Sequence, residues 1–219
     1  RELQLELDRP APRGVKENHC VENLTQTPEG VIRNNRFEHT NTRGVLLTTR
    51  RKVVVEGNVF FRTGMHAILI ADDCNYWYES GPVTDVTIRS NKFIQCGYNS
   101  YPDSYPIAIM PETHNFVKNR YVHSNINIVD NEFDLFAPPL LFARSTKNIN
   151  FTKNVIAGKQ SDDFPYSEKP MFFLEHCTEV QIESNNFEDK FPQRVIEIKE
   201  MDKNGVKYGP KTKFELIRK

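Results

Sequence analysis

The chain has 219 residues, enough to bury a sizeable core and to form one domain or two small ones. Its 29 Lys and Arg balance 29 Asp and Glu, and a pI near 7.2 gives no electrostatic case for nucleic acid or an anionic membrane as a partner. Aromatic residues make up 11% of the chain, too many for a disordered tail, and no apolar run approaches the roughly 20 residues of a membrane span.

Four cysteines, Cys20, Cys74, Cys96 and Cys177, are widely separated in the sequence. They form no C-x-x-C motif and no Cys/His cluster, so we expect buried free thiols rather than a zinc site. Phosphate-binding Gly-rich loops and the H-E-x-x-H motif are also absent, so we expect neither a metal nor another cofactor. The chain begins at Arg1 with no signal-peptide pattern, and we expect it to be part of a longer protein.

A repeat runs through the chain, although loops of unequal length separate its copies. Its pattern is an apolar residue, two variable residues, Asn, one variable residue and Phe. Six copies place their asparagines at Asn35, Asn58, Asn91, Asn131, Asn154 and Asn185. Asn tolerates left-handed backbone and its amide can bond the Asn of the next coil, so we expect a turn at each copy. The phenylalanines expected to stack inside are Phe37, Phe60, Phe93, Phe133 and Phe187.

Each copy is followed by a second short apolar segment, at residues 44–47, 67–70, 107–110, 140–143, 172–174 and 195–198. No segment holds a 3.6-residue period for three turns, and Val, Ile and Phe dominate, so these are predicted strands. A shortest repeat of 23 residues is typical of one β-solenoid coil, whereas the leucine-rich repeat pattern is absent. The sequence therefore predicts an all-β chain, a right-handed parallel β-helix of about six coils that spans residues 1–219 as one domain.

Polar residues follow the second strands at one predicted edge of the solenoid. Aligning the strand ends gives the column Thr49, Asp72, Glu112, Arg144 and His176. Equivalent positions of neighbouring coils lie about 4.8 Å apart. The largest insertions leave or return to this edge, and they are rich in Tyr, Asn and Asp and contain the only Trp. Aromatic rings stack on sugars and carboxylates bind hydroxyl groups, so this edge is predicted to bind carbohydrate.

These residues also have structural interpretations, which the sequence leaves open. The pair Asp72–Asp73 could form a turn, because Asp favours turns. Glu112 and Arg50 could be solvated charges, His66 a packed polar residue, and Trp77 a cap on the core.

Two stretches resemble glycoside hydrolase family 110. The first runs from Glu22 to Lys52 and contains ENLTQTP, VIRNNRF and NTRGVLLTTRRK. The second is TGMHAILIADD, from Thr63 to Asp73, followed by WYESGP. The similarity is dense from about residue 20 to residue 112 and thin after residue 140. Members of that family are exo-acting α-1,3-galactosidases, some of which remove the terminal galactose of the blood-group B antigen.

The resemblance implies inverting, metal-free hydrolysis with Asp72 and Asp73 as catalytic residues, and further coils and accessory domains outside this chain. Glu112 is expected to act as a base or a galactose ligand. The expected substrate-binding residues are Arg50, His66, Trp77, Tyr78 and Glu79. The implied partner is a galactose-terminated glycan outside the cell, so the resemblance also implies a secreted or periplasmic protein.

Two other classes of function stay open at this stage. Polysaccharide lyases and epimerases also occur on β-helices, but they usually need a basic residue and charge neutralisation of a uronate, and the column here is net acidic. A non-catalytic, carbohydrate-binding solenoid would carry the same aromatic loops, and it predicts that Asp72→Asn leaves function intact.

Overall fold

The chain folds as a parallel β-helix of six three-stranded coils followed by two further strands. The computed structural model describes residues 4–16, 19–73, 76–79, 81–99, 104–113, 115–161, 167–210 and 212–219. Within these residues, each coil places one strand in each of three parallel sheets, A, B and C, which have seven, six and seven strands. The predicted fold class is confirmed, while one domain over residues 1–219 stays a prediction.

Sheet A contains β1 (Gly30–Arg33), β4 (Val53–Glu56), β7 (Val86–Arg89), β10 (His123–Val129), β13 (Thr146–Thr152), β16 (Thr178–Glu183) and β19 (Val206–Tyr208). Sheet B contains β2 (Arg36–Glu38), β5 (Val59–Phe61), β8 (Lys92–Ile94), β11 (Glu132–Leu135), β14 (Val155–Gly158) and β17 (Asn186–Phe187). Sheet C contains β3 (Val45–Leu47), β6 (Ile68–Ile70), β9 (Ile107–Ile109), β12 (Leu141–Arg144), β15 (Phe172–Glu175), β18 (Val195–Lys199) and β20 (Glu215–Arg218). The described residues also include two short 3-10 helices, Leu24–Gln26 and Lys203–Gly205.

Alternate residues of the strands in sheet A fill the inside of the coils. In β4, Val53 and Val55 are buried, whereas Val54 between them is only half-buried. The register pairs Val53 with Val86 and Val55 with Ile88, so apolar side chains of one coil meet apolar side chains of the next. Each fully buried aliphatic side chain of this kind stabilises the fold by about 1.5–3 kcal/mol.

The asparagines of the repeat form a ladder at the corner between sheets A and B, where two residues connect the strands in every coil. Asn91 Oδ1 accepts the backbone N–H of Asn58 at 2.9 Å and its amide N–H at 3.0 Å. Asn91 Nδ2 donates to the Val55 carbonyl at 2.9 Å and to Asn131 Oδ1 at 3.0 Å. The predicted bond between coils is confirmed. The left-handed backbone, however, is at the residue before each Asn, such as Ser90 with φ 53°, and that residue makes the turn.

The phenylalanines of the repeat stack inside sheet B. Neighbouring rings lie within 10° of parallel, with centroids 4.7 to 5.1 Å apart, in the series Phe37, Phe60, Phe93 and Phe133. The next two positions in the register are Ile156 and Phe187. Because Ile156 interrupts the stack, Phe187 packs edge-on against Phe214 instead, at 5.3 Å. The predicted stack is therefore confirmed for four rings and wrong for Phe187.

Loops of unequal length leave the solenoid at the other two corners. The longest of the first three coils are residues 71–85 and 110–122, between sheets C and A, and residues 95–106, between sheets B and C. Ahead of the first coil, residues 4–16 and 19–23 contain no helix or strand. In the described part of the chain, no helix has the length and apolarity needed to cross a membrane.

The cysteines only partly follow the predicted burial. Cys96 and Cys177 are buried thiols, as expected. Burial raises the pKa of Cys177 to about 12 and also raises the pKa of Cys96, so both stay protonated at neutral pH. Cys20 is exposed, because it lies ahead of the first coil and has no core to enter, so the prediction is wrong there. Cys74 lies outside the described residues.

Candidate active site

Asp72, Arg50 and Glu112 lie near the edge where the strands of sheet C end. Arg50 follows β3, Asp72 follows β6 and Glu112 follows β9, within three residues of the strand end in each case. Since these three strands are parallel neighbours, their C-terminal ends meet at one edge. An open cavity of about 550 Å³ lies here, and its lining contains residues 20–24, Arg50, Asp72, Tyr78, Glu79, Gly81 and Pro82.

Asp72 is one of three half-buried carboxyl residues that line this cavity, with Glu22 and Glu79. Its Oδ1 accepts the backbone N–H of Glu112 at 3.1 Å, which fixes the side chain across the two coils. Burial raises the pKa of Asp72, the negative charges of Glu112 and Asp73 raise it further, and the backbone hydrogen bonds only partly oppose this. A carboxyl group in such surroundings keeps its proton to a higher pH than an ordinary Asp, as a general acid requires.

Asp73 has contacts that shape the loop after β6. It is 7% exposed, and its Oδ1 accepts the backbone N–H of Tyr76 at 2.9 Å. Its carbonyl oxygen accepts the N–H of Glu79 at 2.8 Å. These are the contacts that the turn interpretation requires. They position the loop that carries Tyr78, and a catalytic role for Asp73 stays a prediction.

Arg50 is held by an acidic partner from the segment ahead of the first coil. Its Nε donates to Glu22 Oε2 at 2.8 Å, and its Nη2 contacts the same oxygen. The two side chains are 31% and 21% exposed. A Cβ at Gly81 would lie 2.9 Å from Glu22 Oε2 and 3.0 Å from Arg50 Nη2, so the absence of a side chain there leaves room for the pair. Arg50 is therefore a positioned cation in the cavity rather than a solvated charge.

The aromatic residues of the loop after β6 are on the outside of the molecule. Tyr76, Trp77 and Tyr78 are 81%, 79% and 79% exposed. Trp77 thus does not cap the core. Tyr78 and Glu79 line the cavity, whereas Trp77 is on the same loop but not part of the lining. Binding of substrate by Trp77, Tyr78 and Glu79 stays a prediction.

His66 and Glu112 differ sharply in their exposure. His66 is 2% exposed, and its Nδ1 donates to the carbonyl of Tyr105 at 2.8 Å, which assigns the ring hydrogen to Nδ1. It lies outside the cavity lining and has the contacts of a packed polar residue. Glu112 is exposed, beside Asp72. The substrate role of His66 and the base role of Glu112 stay predictions.

The predicted polar column is out of register by one residue in two places. Arg144 pairs with Glu175 rather than with His176. Ile70 pairs with Ile109, so the level of Asp72 falls one residue before Glu112. In the first five coils, the strands of sheet C carry apolar residues on both faces, so no alternation of polar and apolar residues fixes their register in the sequence.

Glu22 is the residue of the cavity that sequence reasoning missed as a site residue. It is outside the repeats, and only its place at the start of the first family-like stretch marks it. In the part of the chain that the structure describes, no group of three or more His, Cys, Asp or Glu side chains is arranged to hold a metal ion.

Residues 24–209 match a family model described as a right handed beta helix region. Among similar proteins, the α-1,3-galactosidase A of Bacteroides fragilis is 44% identical over 208 residues, which cover 94% of this chain and 34% of that protein. The α-1,3-galactosidase B of Bacteroides thetaiotaomicron is 39% identical over 217 residues, 98% of this chain and 35% of that protein. The α-1,3-galactosidase A of Streptomyces avermitilis is 34% identical over 195 residues, 89% of this chain and 30% of that protein.

These similarities confirm the resemblance to α-1,3-galactosidases and extend it past residue 140, where the sequence resemblance was thin. The chain spans about a third of the length of the curated relatives it matches.

Proposed function

The chain belongs to the right-handed β-helix family, and from that premise we propose that it is the carboxylate-bearing part of a glycoside hydrolase. The proposed substrate is a glycan that ends in α-1,3-linked galactose, and the proposed reaction removes that galactose. The names of three similar proteins support this activity. The observation that carries it is Asp72, a half-buried carboxyl group with a raised pKa that lines a cavity beside exposed aromatic residues.

In the proposed reaction, Asp72 is the general acid. Its raised pKa lets it hold a proton nearer to neutral pH, and it gives this proton to the departing glycosidic oxygen. A second carboxylate activates a water molecule, which attacks the anomeric carbon from the opposite face and inverts it. Such pairs are usually about 6.5–9.5 Å apart, because the water must fit between sugar and base. Glu112 and Asp73 are the two candidates for the base.

Sugar recognition is assigned to the rest of the cavity lining. Tyr78 offers an exposed ring on which a sugar face can stack, and Glu79 and Arg50 offer groups that bind hydroxyls. Trp77, exposed on the same loop, extends the aromatic surface towards the rest of the glycan.

The test is Asp72→Asn in the full-length protein, with turnover measured on an α-1,3-linked galactoside. Asn keeps the size of Asp but has no proton to give, so kcat should fall at least about 10²-fold. The melting temperature should be unchanged or slightly raised, because the substitution removes a half-buried acid that burial and two neighbouring carboxylates disfavour in its charged form. NMR of the first anomer released from the wild type tests inversion.

Asp85→Asn is the matched control, since Asp85 is also half-buried and is the last residue of the same loop, and it does not line the cavity. It should keep full turnover. Unchanged turnover in Asp72→Asn, together with a lower melting temperature, would show that Asp72 is structural and favour a non-catalytic solenoid.

We also propose that the protein is secreted or periplasmic, because the proposed substrates are extracellular glycans. Fractionation of cells that produce the full-length protein tests this, and recovery in the cytoplasm alone contradicts it.

A further inference from the structure

The outward face of sheet C is apolar in the first five coils. The register aligns a row of outward-facing residues, Leu46, Leu69, Ala108, Phe142 and Phe173, which Glu197 follows in the sixth coil. Several of them form a second hydrophobic cluster, separate from the core inside the coils, and Tyr105 packs into it. A sheet covered on both faces loses its alternating pattern, and that is why the sequence reads as continuous apolar runs here.

A cavity of about 470 Å³ opens on this face, and its lining includes residues of β12, β15 and β18. These strands lie two, three and four coils beyond β6, the strand that precedes Asp72. Two stacked rings, Phe142 and Phe173, line it, with centroids 5.1 Å apart and planes at 5°. Phe142 is 3% exposed and supports Phe173, which is half-buried. Tyr105 lies against Phe142 at 5.8 Å, and Lys169 Nζ is 6.0 Å from the centre of the Tyr105 ring.

One rim of this cavity is a row of three charged residues on successive coils, Arg144, Glu175 and Lys199. Glu175 Oε2 accepts Arg144 Nε at 2.6 Å, and Oε1 accepts Lys199 Nζ at 2.7 Å. The Glu175 side chain is only 6% exposed. Burial alone would raise the pKa of Glu175, but Lys199 and Arg144 outweigh it and hold that pKa below its usual range. Glu175 is therefore ionised, and one carboxylate serves two cations.

Arg144 and Lys199 both keep polar hydrogens that an anionic ligand can reach. Among the described residues, the lining contains four cationic side chains, Arg144, Lys169, Lys199 and Lys219, and three acidic ones, Glu168, Glu175 and Glu197, of which Glu197 pairs with Lys219 at 3.0 Å. Arg144 uses only Nε on Glu175, and its Nη atoms have no hydrogen-bond partner among the described residues. The Lys199 side chain is 46% exposed, so its ammonium can reach a ligand while it contacts Glu175.

We propose that this cavity, lined by Phe142, Phe173, Arg144 and Lys199, is a second carbohydrate site that takes an anionic sugar unit. The anionic group, a carboxylate or a sulfate ester, binds at Arg144 and Lys199, because guanidinium and ammonium groups pair with such oxyanions. The apolar face of the sugar ring lies on Phe173. The inference rests on the proposed function in one respect, that the protein acts on glycans. Arg144 is two strands from the β6 edge in sheet C, about 10 Å at the usual strand spacing, so one branched glycan can reach both sites.

Direct binding measurements on the full-length protein test this proposal without any turnover. Calorimetry at low salt compares glucuronic acid and a glucose sulfate with glucose, three probes that differ only in the anionic group. We expect at least one anionic probe to bind at least tenfold more tightly than glucose, and the preference to shrink as salt is added. Which of the two anionic probes binds distinguishes a uronic acid site from a sulfate ester site.

Lys199→Gln removes one cation from an exposed position and should weaken binding of the anionic probe at least tenfold. Phe173→Leu keeps an apolar side chain of similar burial but removes the ring face, and it should also weaken binding. Lys92→Gln is the matched control, because Lys92 forms a comparable pair between coils with Glu132, at 2.9 Å, on sheet B and outside the cavity lining. It should bind like the wild type.

Equal affinity for glucuronic acid, glucose sulfate and glucose in the folded wild type would overturn the proposal, and so would full binding by Lys199→Gln. In that case the charged row only stabilises the stacked coils. If an anionic probe binds preferentially and Asp72→Asn keeps full turnover, the anionic-sugar site is supported and the proposed catalytic site is refuted. If the three probes bind equally and Asp72→Asn loses turnover, the catalytic site is supported and the anionic-sugar site is refuted.

Discussion

Replacing Phe93 with alanine should lower the free energy of unfolding by roughly 4–5 kcal/mol. The side chain is 0% exposed and lies between Phe60 and Phe133, with ring centroids 5.1 and 4.7 Å away and planes within 10°. Buried Phe→Ala changes cost about 3–5 kcal/mol, depending on how far the surroundings collapse into the cavity. Here the strands that carry the rings above and below are held at the strand spacing by backbone hydrogen bonds. They cannot close the gap, so the loss should fall in the upper half of that range.

The assay is equilibrium unfolding in urea, followed by circular dichroism, with the midpoint and slope fitted separately. Phe187→Ala is the matched control, since Phe187 is the same residue type, half-buried, with an edge-on contact to Phe214 at 5.3 Å. We expect it to lose about half as much. A loss below about 1 kcal/mol for Phe93→Ala, or equal losses for the two variants, would refute the reasoning from the stack.

Two further substitutions test the ladder and the buried imidazole. Asn91→Ala removes four hydrogen bonds and leaves buried partners unsatisfied at Asn58 and Val55. It should therefore lower the free energy of unfolding by at least about 2 kcal/mol in the same assay. Asn186→Ala, at an exposed position, should lower it by less than about 1 kcal/mol. Burial lowers the pKa of His123 to about 3, so the folded state keeps this group neutral while the unfolded chain binds a proton below about pH 6.5. His123 should therefore make the free energy of unfolding fall by up to about 1.4 kcal/mol per pH unit as the pH drops from 6.5 towards 3. His123→Gln should reduce this pH dependence in urea titrations. The same pH dependence in the variant and the wild type would show that His123 is not the group responsible.

The parts of the fold that repeat in every coil could be predicted from the sequence. Asn131 and Phe93 have the same neighbours, one coil above and one below, as the other members of their rows, so a short pattern carries the geometry. The register of sheet C could not be predicted, because Ile68, Leu69 and Ile70 are all buried and a shift by one residue leaves the pattern unchanged.

The candidate site, too, could be predicted from the sequence only in part. That Asp72 comes at the end of a buried strand and opens a long loop was visible in the sequence. Its hydrogen bond with the backbone N–H of Glu112 was not, because a main-chain donor has no sequence signature. The Arg50–Glu22 pair joins the first coil to a segment outside the repeats, and such a pairing depends on the path of the chain in three dimensions.

The asparagine ladder keeps the spacing between coils constant, although the number of residues in a coil varies. Successive rungs are 23, 33, 40, 23 and 31 residues apart along the chain, yet each rung bonds the next through the same pair of contacts, 2.9 to 3.2 Å long. Extra residues are therefore accommodated outwards, at the two corners that the ladder does not hold, and the entropic cost of closing a longer loop grows only slowly with its length. Loops can in this way be exchanged or lengthened one coil at a time while the pitch of the scaffold stays constant, so the fold should tolerate foreign loops grafted between the buried residues Asp73 and Val83 wherever the flanking rungs are kept.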